Sequence, residues 1–249
     1  MEIQLIRNAT MKIKYAGKTI LTDPMFSPKD AMDPFAGIAR NPTVDMKFTV
    51  EDVLAGVDGL IVSHEHPDHF DPAASQALAK SMPAFCQPDV EGRLKTDGFE
   101  NIFPIESTHA WDGISITRTG GKHGKGEILG MMGQVSGFVF QAAGEPTVYW
   151  VGDSIWCGEV EEAIRQFSPD VIITHSGAAT IPGHEAIIMD GQQTLTTVKA
   201  APDAVVVAIH LESLDHCLLK REELREMADA ENIPAARLVI PDDGEIIRL

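Results

Sequence analysis

The sequence predicts an α/β fold in which two mixed β-sheets pack face to face and carry helices on their outer faces. Two observations support this. Strand-like alternation opens each half of the 249-residue chain, and each opening is followed by alternating helices and buried strands. A single parallel sheet fits this order less well. No repeat, linker or low-complexity segment interrupts the chain, so we expect one domain over residues 1–249.

The first half begins with a predicted hairpin sheet, and the long segment from Pro24 to Phe48 is expected to be a loop because it holds four prolines and little periodicity. Further along, Thr49 and Asp71 resemble helix N-caps, and Asp71 is followed by proline at the first helical position. The elements expected here are strands Ile3–Ile6, Met11–Tyr15, Lys18–Thr22 and Gly59–Ser63, and helices to about Ala55, to about Lys80 and near Asp89–Lys95.

The second half repeats this order. The elements expected are strands Ile114–Arg118, Val135–Gln141, Thr147–Val151, Val171–Thr174, Ala204–Ile209 and a last strand Arg237–Ile240, with helices Glu159–Phe167, Asp190–Ala200 and Lys220–Glu231.

Composition excludes several classes of protein. Apolar residues make up 44% of the chain, but no apolar run approaches the roughly 20 residues needed to cross a bilayer. The first residues lack a secretory signal, and three scattered cysteines do not suggest a disulfide framework, so we expect a cytoplasmic protein without a membrane partner. A net charge of −17 counts against a nucleic-acid substrate and also serves solubility.

A dense group of candidate metal ligands follows the predicted strand Gly59–Ser63, in the run His64-Glu65-His66-Pro67-Asp68-His69. Residues i and i+2 of an extended chain project to the same side, so His64 and His66 can reach one ion. Asp68 and His69 project from the turn that follows. Imidazole and carboxylate ligands together suit Zn²⁺, with Mn²⁺ or iron as substitutes.

The pattern His-x-His-x-Asp-His after a buried strand resembles the metallo-β-lactamase-fold superfamily. The opening segment Ile13–Asp23, followed by Pro24, resembles its branch of cytosolic metal-dependent hydrolases, which is similar to the ascorbate-6-phosphate lactonases. The resemblance covers nearly the whole chain. It implies an αββα sandwich with a site for two divalent metal ions at one edge.

The resemblance also implies roles for residues elsewhere in the chain. Asp23, at a strand end, matches the residue that supports the metal loop. His123, Asp153 and His210 match the remaining ligand motifs, although a solvated hairpin histidine, a helix cap and a buried core histidine are the respective alternatives. The implied ligand set is His64, His66 and His123 for one ion, Asp68, His69 and His210 for the other, and Asp153 between them.

Two ions that share a water would lower its pKa from about 15.7 towards 7 and so produce hydroxide at neutral pH. Asp68 is the residue expected to orient this nucleophile or to pass its proton on. We therefore predict a metal-dependent hydrolase, distinct from true β-lactamases, that acts on a small ester, lactone or phosphodiester. The alternative is a metal-binding protein of the same fold with a redox or regulatory role.

Residues that would contact the substrate are less clearly marked. Lys122 and Lys125 flank His123 and would give a positive rim for an anionic small-molecule substrate, or they are simply solvated lysines. His175 either lines the substrate pocket or is a buried imidazole bonded to backbone. Relatives carry a histidine where this chain has Asn8, so whatever that histidine does in relatives does not carry over.

Three further expectations concern Asp190, His184 and the oligomeric state. Asp190 is expected to cap a helix rather than bind metal, and His184 is expected on a surface loop. The chain is also compatible with a homo-oligomer.

Overall fold

A computed structural model describes residues 1–249. The strands, in chain order, are β1 Glu2–Arg7, β2 Thr10–Tyr15, β3 Lys18–Thr22, β4 Gly59–Val62, β5 Ala84–Cys86, β6 Ile102–Pro104, β7 Thr108–Trp111, β8 Ile114–Thr119, β9 Gly137–Gln141, β10 Val148–Trp150, β11 Val171–His175, β12 Val205–Ile209, β13 Leu238–Val239 and β14 Ile246–Arg248. The α-helices are α1 Val50–Leu54, α2 Pro72–Ala77, α3 Glu91–Thr96, α4 Ile128–Met132, α5 Gly158–Phe167, α6 Gly191–Ala200 and α7 Arg221–Ala230, with a short 3₁₀ helix at Pro88–Val90.

The strands form two seven-stranded mixed sheets. Their orders are β14-β1-β2-β3-β4-β5-β6 and β13-β12-β11-β10-β9-β8-β7. Strands β3 to β6 run parallel to one another, as do β10 to β13, and the remaining pairs are antiparallel. Parallel strands place their carboxyl ends at one edge of a sheet, which is where ligands bind in many α/β folds.

Three apolar layers hold this arrangement together. The central layer lies between the sheets and joins side chains such as Ile13 and Phe85 of the first sheet to Phe138 and Trp150 of the second. A second layer packs the outer face of the second sheet against α5, α6 and α7. The third packs the outer face of the first sheet against α1, α2 and α3. The predicted αββα sandwich is therefore confirmed.

The helices begin where their capping residues predict. Thr49 and Asp52 form a reciprocal capping box at α1, and the side chain of Asp71 accepts from the backbone N–H of Ala74 at α2. However, α2 ends at Ala77 rather than near Lys80, because Leu78 is already extended.

Five elements were not predicted, namely β5, β6, β7, α4 and β14. Each has only three to five residues, which is too short for a clear hydrophobic period. The expectation that Arg237–Ile240 is the last strand is wrong, because the chain continues into β14, which pairs antiparallel with β1. This pairing closes the edge of the first sheet with the end of the chain.

The predicted loop Pro24–Phe48 contains no helix and no regular strand. The fully buried Arg7 holds it against the sheet, since its guanidinium donates to the carbonyl oxygens of Met25, Ser27 and Val44 at 2.8–3.0 Å. Across the whole chain, no helix combines the length and apolar character needed to cross a membrane.

Candidate metal centre

The candidate ligands of the sequence meet at one edge of the sandwich. The segment His64–His69 follows β4, while Asp153 and His210 follow the parallel strands β10 and β12. His123 lies in the loop between β8 and α4. The side chains of the seven candidate ligands are all buried except that of His66, which is partly buried.

Three imidazoles form the first group. The Nε2 atom of His64 lies 3.0 Å from Nδ1 of His66, and Nε2 of His123 lies 3.3 Å from the same Nδ1. Their candidate ligand atoms all lie within 4.8 Å of one another.

The second group combines imidazole and carboxylate. The Nε2 atoms of His69 and His210 are 3.3 Å apart, and Oδ2 of Asp68 lies 3.4 Å from the former and 3.3 Å from the latter.

Asp153 stands between the two groups. Its Oδ2 is 3.2 Å from Nε2 of His69 and 3.5 Å from Nε2 of His123, and its Oδ1 is 3.7 Å from Nε2 of His210. The helix-cap alternative for Asp153 does not hold, because α5 begins after Cys157.

In most of these histidines, a protein group forms a hydrogen bond with the ring nitrogen that faces away from the cluster. The Nδ1 of His69 donates to Asp23 at 2.6 Å, and that of His123 donates to the carbonyl of Ile187 at 2.9 Å. The hydroxyl of Ser63 donates to Asp23 and therefore accepts from Nδ1 of His64 at 3.0 Å. In the neutral ring of each of these three histidines, such a bond places the proton on Nδ1 and leaves the inward-facing Nε2 free to ligate a metal.

Asp23 supports the loop that carries the first ligands. Its two oxygens accept from the backbone N–H of Ser63, the hydroxyl of Ser63 and the ring of His69. Asp23 is completely buried and has a left-handed backbone, with φ at 38°.

The protonation of the two groups differs. Burial lowers the pKa of His64 well below its ordinary value, lowers that of His66, and brings the pKa of His123 down to about 4. Burial alone would also lower the pKa of His69 and of His210. The nearby carboxylates, above all Asp153, outweigh it and raise both well above the ordinary value.

The carboxylates respond in the opposite sense. Burial would raise the pKa of Asp68 and of Asp153, but the charges on His69 and His210 outweigh it and hold both pKa values well below the ordinary range. Without ions, protons on His69 and His210 therefore neutralise the two carboxylates.

The donor set fits metal ions. Inward-facing ring nitrogens lie 3.0–3.3 Å apart within each group, and a single proton can bridge the lone pairs of only two of them. A cation placed among them satisfies these lone pairs at once, and a mixture of imidazole and carboxylate suits borderline metals such as Zn²⁺.

Asn8 connects two ligand-bearing segments, a role that the sequence did not predict. It lies in the tight turn between β1 and β2 with φ at 58°, a left-handed conformation that Asn adopts readily. Its side-chain nitrogen donates to the backbone oxygen of Asp68, and its own carbonyl accepts from the backbone N–H of His210. Asn8 thus joins the two segments that carry Asp68 and His210.

The two lysines predicted to contact the substrate lie outside the ligand cluster, whereas His175 lies against it. The Nζ of Lys122 is 3.4 Å from Glu159, and that of Lys125 is 3.8 Å from Glu185. His175 is completely buried, with both ring nitrogens bonded to protein side chains. This geometry favours the buried-imidazole interpretation of His175, with side chains rather than backbone as its partners.

Two other expectations concern Asp190 and His184. Asp190 caps α6, where its Oδ1 accepts from the backbone N–H of Gln193 at 2.8 Å. His184 is half-buried in the loop before it.

A cavity of about 390 Å³ opens directly onto the cluster. Its floor includes His66, Asp68, His123 and Asp153, while its walls are mostly apolar. The wall residues are Pro34, Phe35, Pro67, Met132, Ile181, Ile187 and His216. Neither Lys122, Lys125 nor His175 lines this cavity. A larger groove of about 530 Å³ beside Arg165 contains no histidine.

His216 and Phe35 face each other in the cavity wall. Their rings meet edge to face with centroids 5.2 Å apart, and the side chain of His216 makes no hydrogen bond to the protein. The neighbouring Asp215 accepts backbone N–H bonds from Phe35, Ala36 and Ile38 at 2.9–3.1 Å. Sequence reasoning missed this wall, because its parts lie about 180 residues apart.

Comparison with known proteins agrees with the fold. A family model described as a beta-lactamase superfamily domain matches residues 18–211. The UPF0173 protein YddR of Bacillus subtilis is 34% identical over 98% of both chains. A crystal structure of a possible metal-dependent hydrolase from Veillonella parvula superposes with a TM-score of 0.96 at 34% identity, covering 100% of this chain and 99% of that one.

An isothiocyanate hydrolase from Delia radicum gut bacteria is also similar. Its crystal structure has a TM-score of 0.94 at 38% identity and covers 100% of this chain and 99% of its own. The chain belongs to the β-lactamase superfamily. Within it, the chain groups with the UPF0173 metal-dependent hydrolases, and it is a metal-dependent hydrolase.

Proposed function

We propose that this enzyme hydrolyses small, neutral substrates that join an electrophilic carbon to an apolar group, with isothiocyanates as the leading class. The observation that carries the proposal is the cavity above the cluster, whose walls are mostly apolar and include no lysine or arginine. The 38% identity to an isothiocyanate hydrolase over the whole chain adds support.

The surroundings of the cavity also favour an apolar group. Three of the most exposed large hydrophobic side chains are Ile38, Met131 and Leu218, which are 68%, 67% and 52% exposed. They lie in the three segments that supply Phe35, Met132 and His216 to the wall. Exposed apolar side chains in the segments that form an apolar cavity suit an aromatic or alkyl substituent.

We propose a site for two ions, most simply Zn²⁺. His64, His66 and His123 would hold one, Asp68, His69 and His210 would hold the other, and Asp153 would be shared. The proposal is supported by Oδ2 of Asp153, which lies within 3.5 Å of ring nitrogens from both groups. Bound ions of this kind lower the pKa of a coordinated water towards 7 and so supply a nucleophile at neutral pH.

The protein residues would divide the remaining work. Asp68 lines the cavity beside the proposed ions, where its carboxylate would take the proton that the attacking water loses. His216 lines the cavity, and its Nδ1 has no protein partner, so its ring would bond the nitrogen or sulfur of the substrate. The apolar wall orients the substituent and excludes water.

The overall reaction balances simply. The water oxygen bonds to the central carbon of R–N=C=S, both water protons pass to nitrogen, and the C–N bond breaks to give R–NH₂ and COS. Asp68 relays the first proton.

Esters and lactones are the second candidate class, because they present the same electrophilic carbon without a charge. An anionic phosphodiester fits less well, since both candidate lysines are paired with glutamates outside the cavity. The likeness to ascorbate-6-phosphate lactonases stays a prediction.

We further propose that residues 1–249 act as one domain. This is supported by the cluster, which draws His64 from the first sheet and His210 from the second. A cytoplasmic location, proposed from cysteine usage, is supported by the three cysteines, none of which is paired.

The test is a turnover assay on protein prepared without chelators. Phenylethyl and allyl isothiocyanate, a neutral lactone and bis(p-nitrophenyl) phosphate would be compared, with amine release as the readout for isothiocyanates. We expect the isothiocyanates to be the best substrates, with the aromatic one preferred. Turnover of the phosphodiester alone would overturn the proposal.

A further inference from the structure

His175 connects the candidate bridging carboxylate to the core of the sandwich. It ends β11, beside β10, and the two strands pair in parallel with Trp150 opposite Ile173. The Nδ1 atom of His175 lies 2.5 Å from Oδ1 of Asp153, and its Nε2 atom lies 2.9 Å from Nε1 of Trp150. His175 is completely buried, and so is Trp150.

The chemistry of Trp150 determines which nitrogen of His175 carries the proton. An indole Nε1–H can only donate, so Nε2 of His175 must accept and cannot itself be protonated. The proton of the neutral ring therefore sits on Nδ1 and is donated to Asp153. Both ring nitrogens of His175 then take part in hydrogen bonds.

These hydrogen bonds decide whether His175 can be a metal ligand, which its distance from the other ligands does not. His175 lies close enough to His69, Asp153 and His210 for all four to hold one ion. A metal ligand needs a free lone pair, however, and neither nitrogen of His175 has one while Trp150 is bonded to it.

We propose that Trp150 and His175 form a hydrogen-bond chain that orients Asp153, and that His175 is a positioning residue rather than a metal ligand. This rests on the proposal that Asp153 is shared by two ions. The chain binds Oδ1 from one side and leaves Oδ2 facing His69 and His123, at 3.2 and 3.5 Å. Because the chain is built on two paired strands, it holds the carboxylate more firmly than a loop would.

The decisive variant is Trp150→Phe, because Trp150 does not touch the candidate ions and could not ligate one. Without the indole N–H, the proton of His175 can move to Nε2, and a bare Nδ1 then faces the carboxylate. We expect zinc affinity, measured by competition with a chromophoric chelator, to fall about tenfold or more. The number of ions bound should not change.

Two substitutions at His175 separate positioning from ligation. His175→Asn keeps an N–H near the position of Nδ1 and should retain most of the affinity, whereas His175→Leu removes the donor and should lose about 10-fold to 100-fold. The Co²⁺ absorption spectrum should keep the same coordination number in both. A change of coordination number or a lost ion in both variants would mean that His175 is a ligand.

Tyr149→Phe is the matched control. Tyr149 neighbours Trp150 on β10 but packs on the outer face of the sheet, and its buried hydroxyl has no hydrogen-bond partner. The zinc affinity of Tyr149→Phe should equal that of the unaltered protein. Thermal unfolding of each variant, measured in the presence of a chelator, shows whether the core still folds.

Asp153→Asn distinguishes the two levels of the proposal. If Asp153→Asn binds zinc as tightly as the unaltered protein, the shared-ligand proposal fails. If Asp153→Asn loses zinc while Trp150→Phe and His175→Leu do not, only the hydrogen-bond chain is wrong. Substrate identity affects none of these readouts.

Discussion

The carboxylate of Asp23 holds the imidazole of His69 at 2.6 Å between Oδ2 and Nδ1, and both side chains are completely buried. The two residues are 46 positions apart, and the contact turns Nε2 of His69 towards Asp68 and Asp153. One buried carboxylate therefore orients an imidazole at the centre of the ligand cluster.

Asp23→Asn tests this orientation. The substitution keeps the size of the side chain but weakens the bond that holds His69. We expect zinc affinity to fall about 10-fold to 100-fold, as for other groups that orient metal ligands. Ser63→Ala, which removes the hydroxyl donor to the same carboxylate, should have a smaller effect. Equal affinity in Asp23→Asn and the unaltered protein would contradict the assigned role.

Asp215→Ala tests the cavity wall. The carboxylate of Asp215 accepts the backbone N–H groups that hold the loop around Phe35, so its loss should let that loop move away from His216. We expect the KM for an aromatic isothiocyanate to rise about tenfold, with metal content unchanged. Asp33→Ala, which breaks only the exposed pair with Arg40, is the control and should leave KM unchanged. An equal KM in both variants would remove Phe35 from the substrate wall.

The lysines beside His123 have a separate prediction. Because Lys122 and Lys125 pair with Glu159 and Glu185 outside the cavity, replacing both with alanine should change kcat/KM by no more than about twofold. The comparison needs one neutral and one anionic substrate. A large loss for the anionic substrate alone would restore the positive rim that the sequence suggested.

The stability of the metal-free protein should depend on pH in a definite direction. The pKa values of His69 and His210 are raised, so their stabilisation is complete below about 6.5, where unfolded histidine titrates, and is lost as the pH rises through the folded values. Ions bound at the same nitrogens would replace those protons. We therefore expect the Tm of chelated protein to fall from pH 6.5 to about pH 9, and that of zinc-loaded protein to fall less.

Parallel pH profiles for the chelated and zinc-loaded proteins would contradict this. Asp68→Asn supplies a second check, because it removes one of the carboxylates that raise both pKa values. Its chelated form should show a weaker dependence on alkaline pH.

The sequence predicted the fold and the cluster because their signals are local. Helix caps such as Asp71 act over three residues, and the spacing from His64 to His69 places the ligands at the end of one strand. The later motifs at His123, Asp153 and His210 came from resemblance to a family, and the structure brings them to the same edge.

The parts that sequence did not predict depend on distant contacts. Trp150 meets His175 only because β10 and β11 pair in parallel in one register. Phe35 meets His216 because Asp215 binds a loop 180 residues away. No local pattern encodes such contacts, since each depends on how the completed sheets and loops pack.

The most direct test of the central claim is a count of the ions that Asp153 helps to hold. Metal-free protein and its Asp153→Asn variant would be titrated with Zn²⁺ and analysed by mass spectrometry under native conditions. The account predicts two ions per chain in the unaltered protein and fewer, more weakly bound, in the variant. Saturation at one ion, or identical binding by both proteins, would contradict a shared carboxylate between two metals.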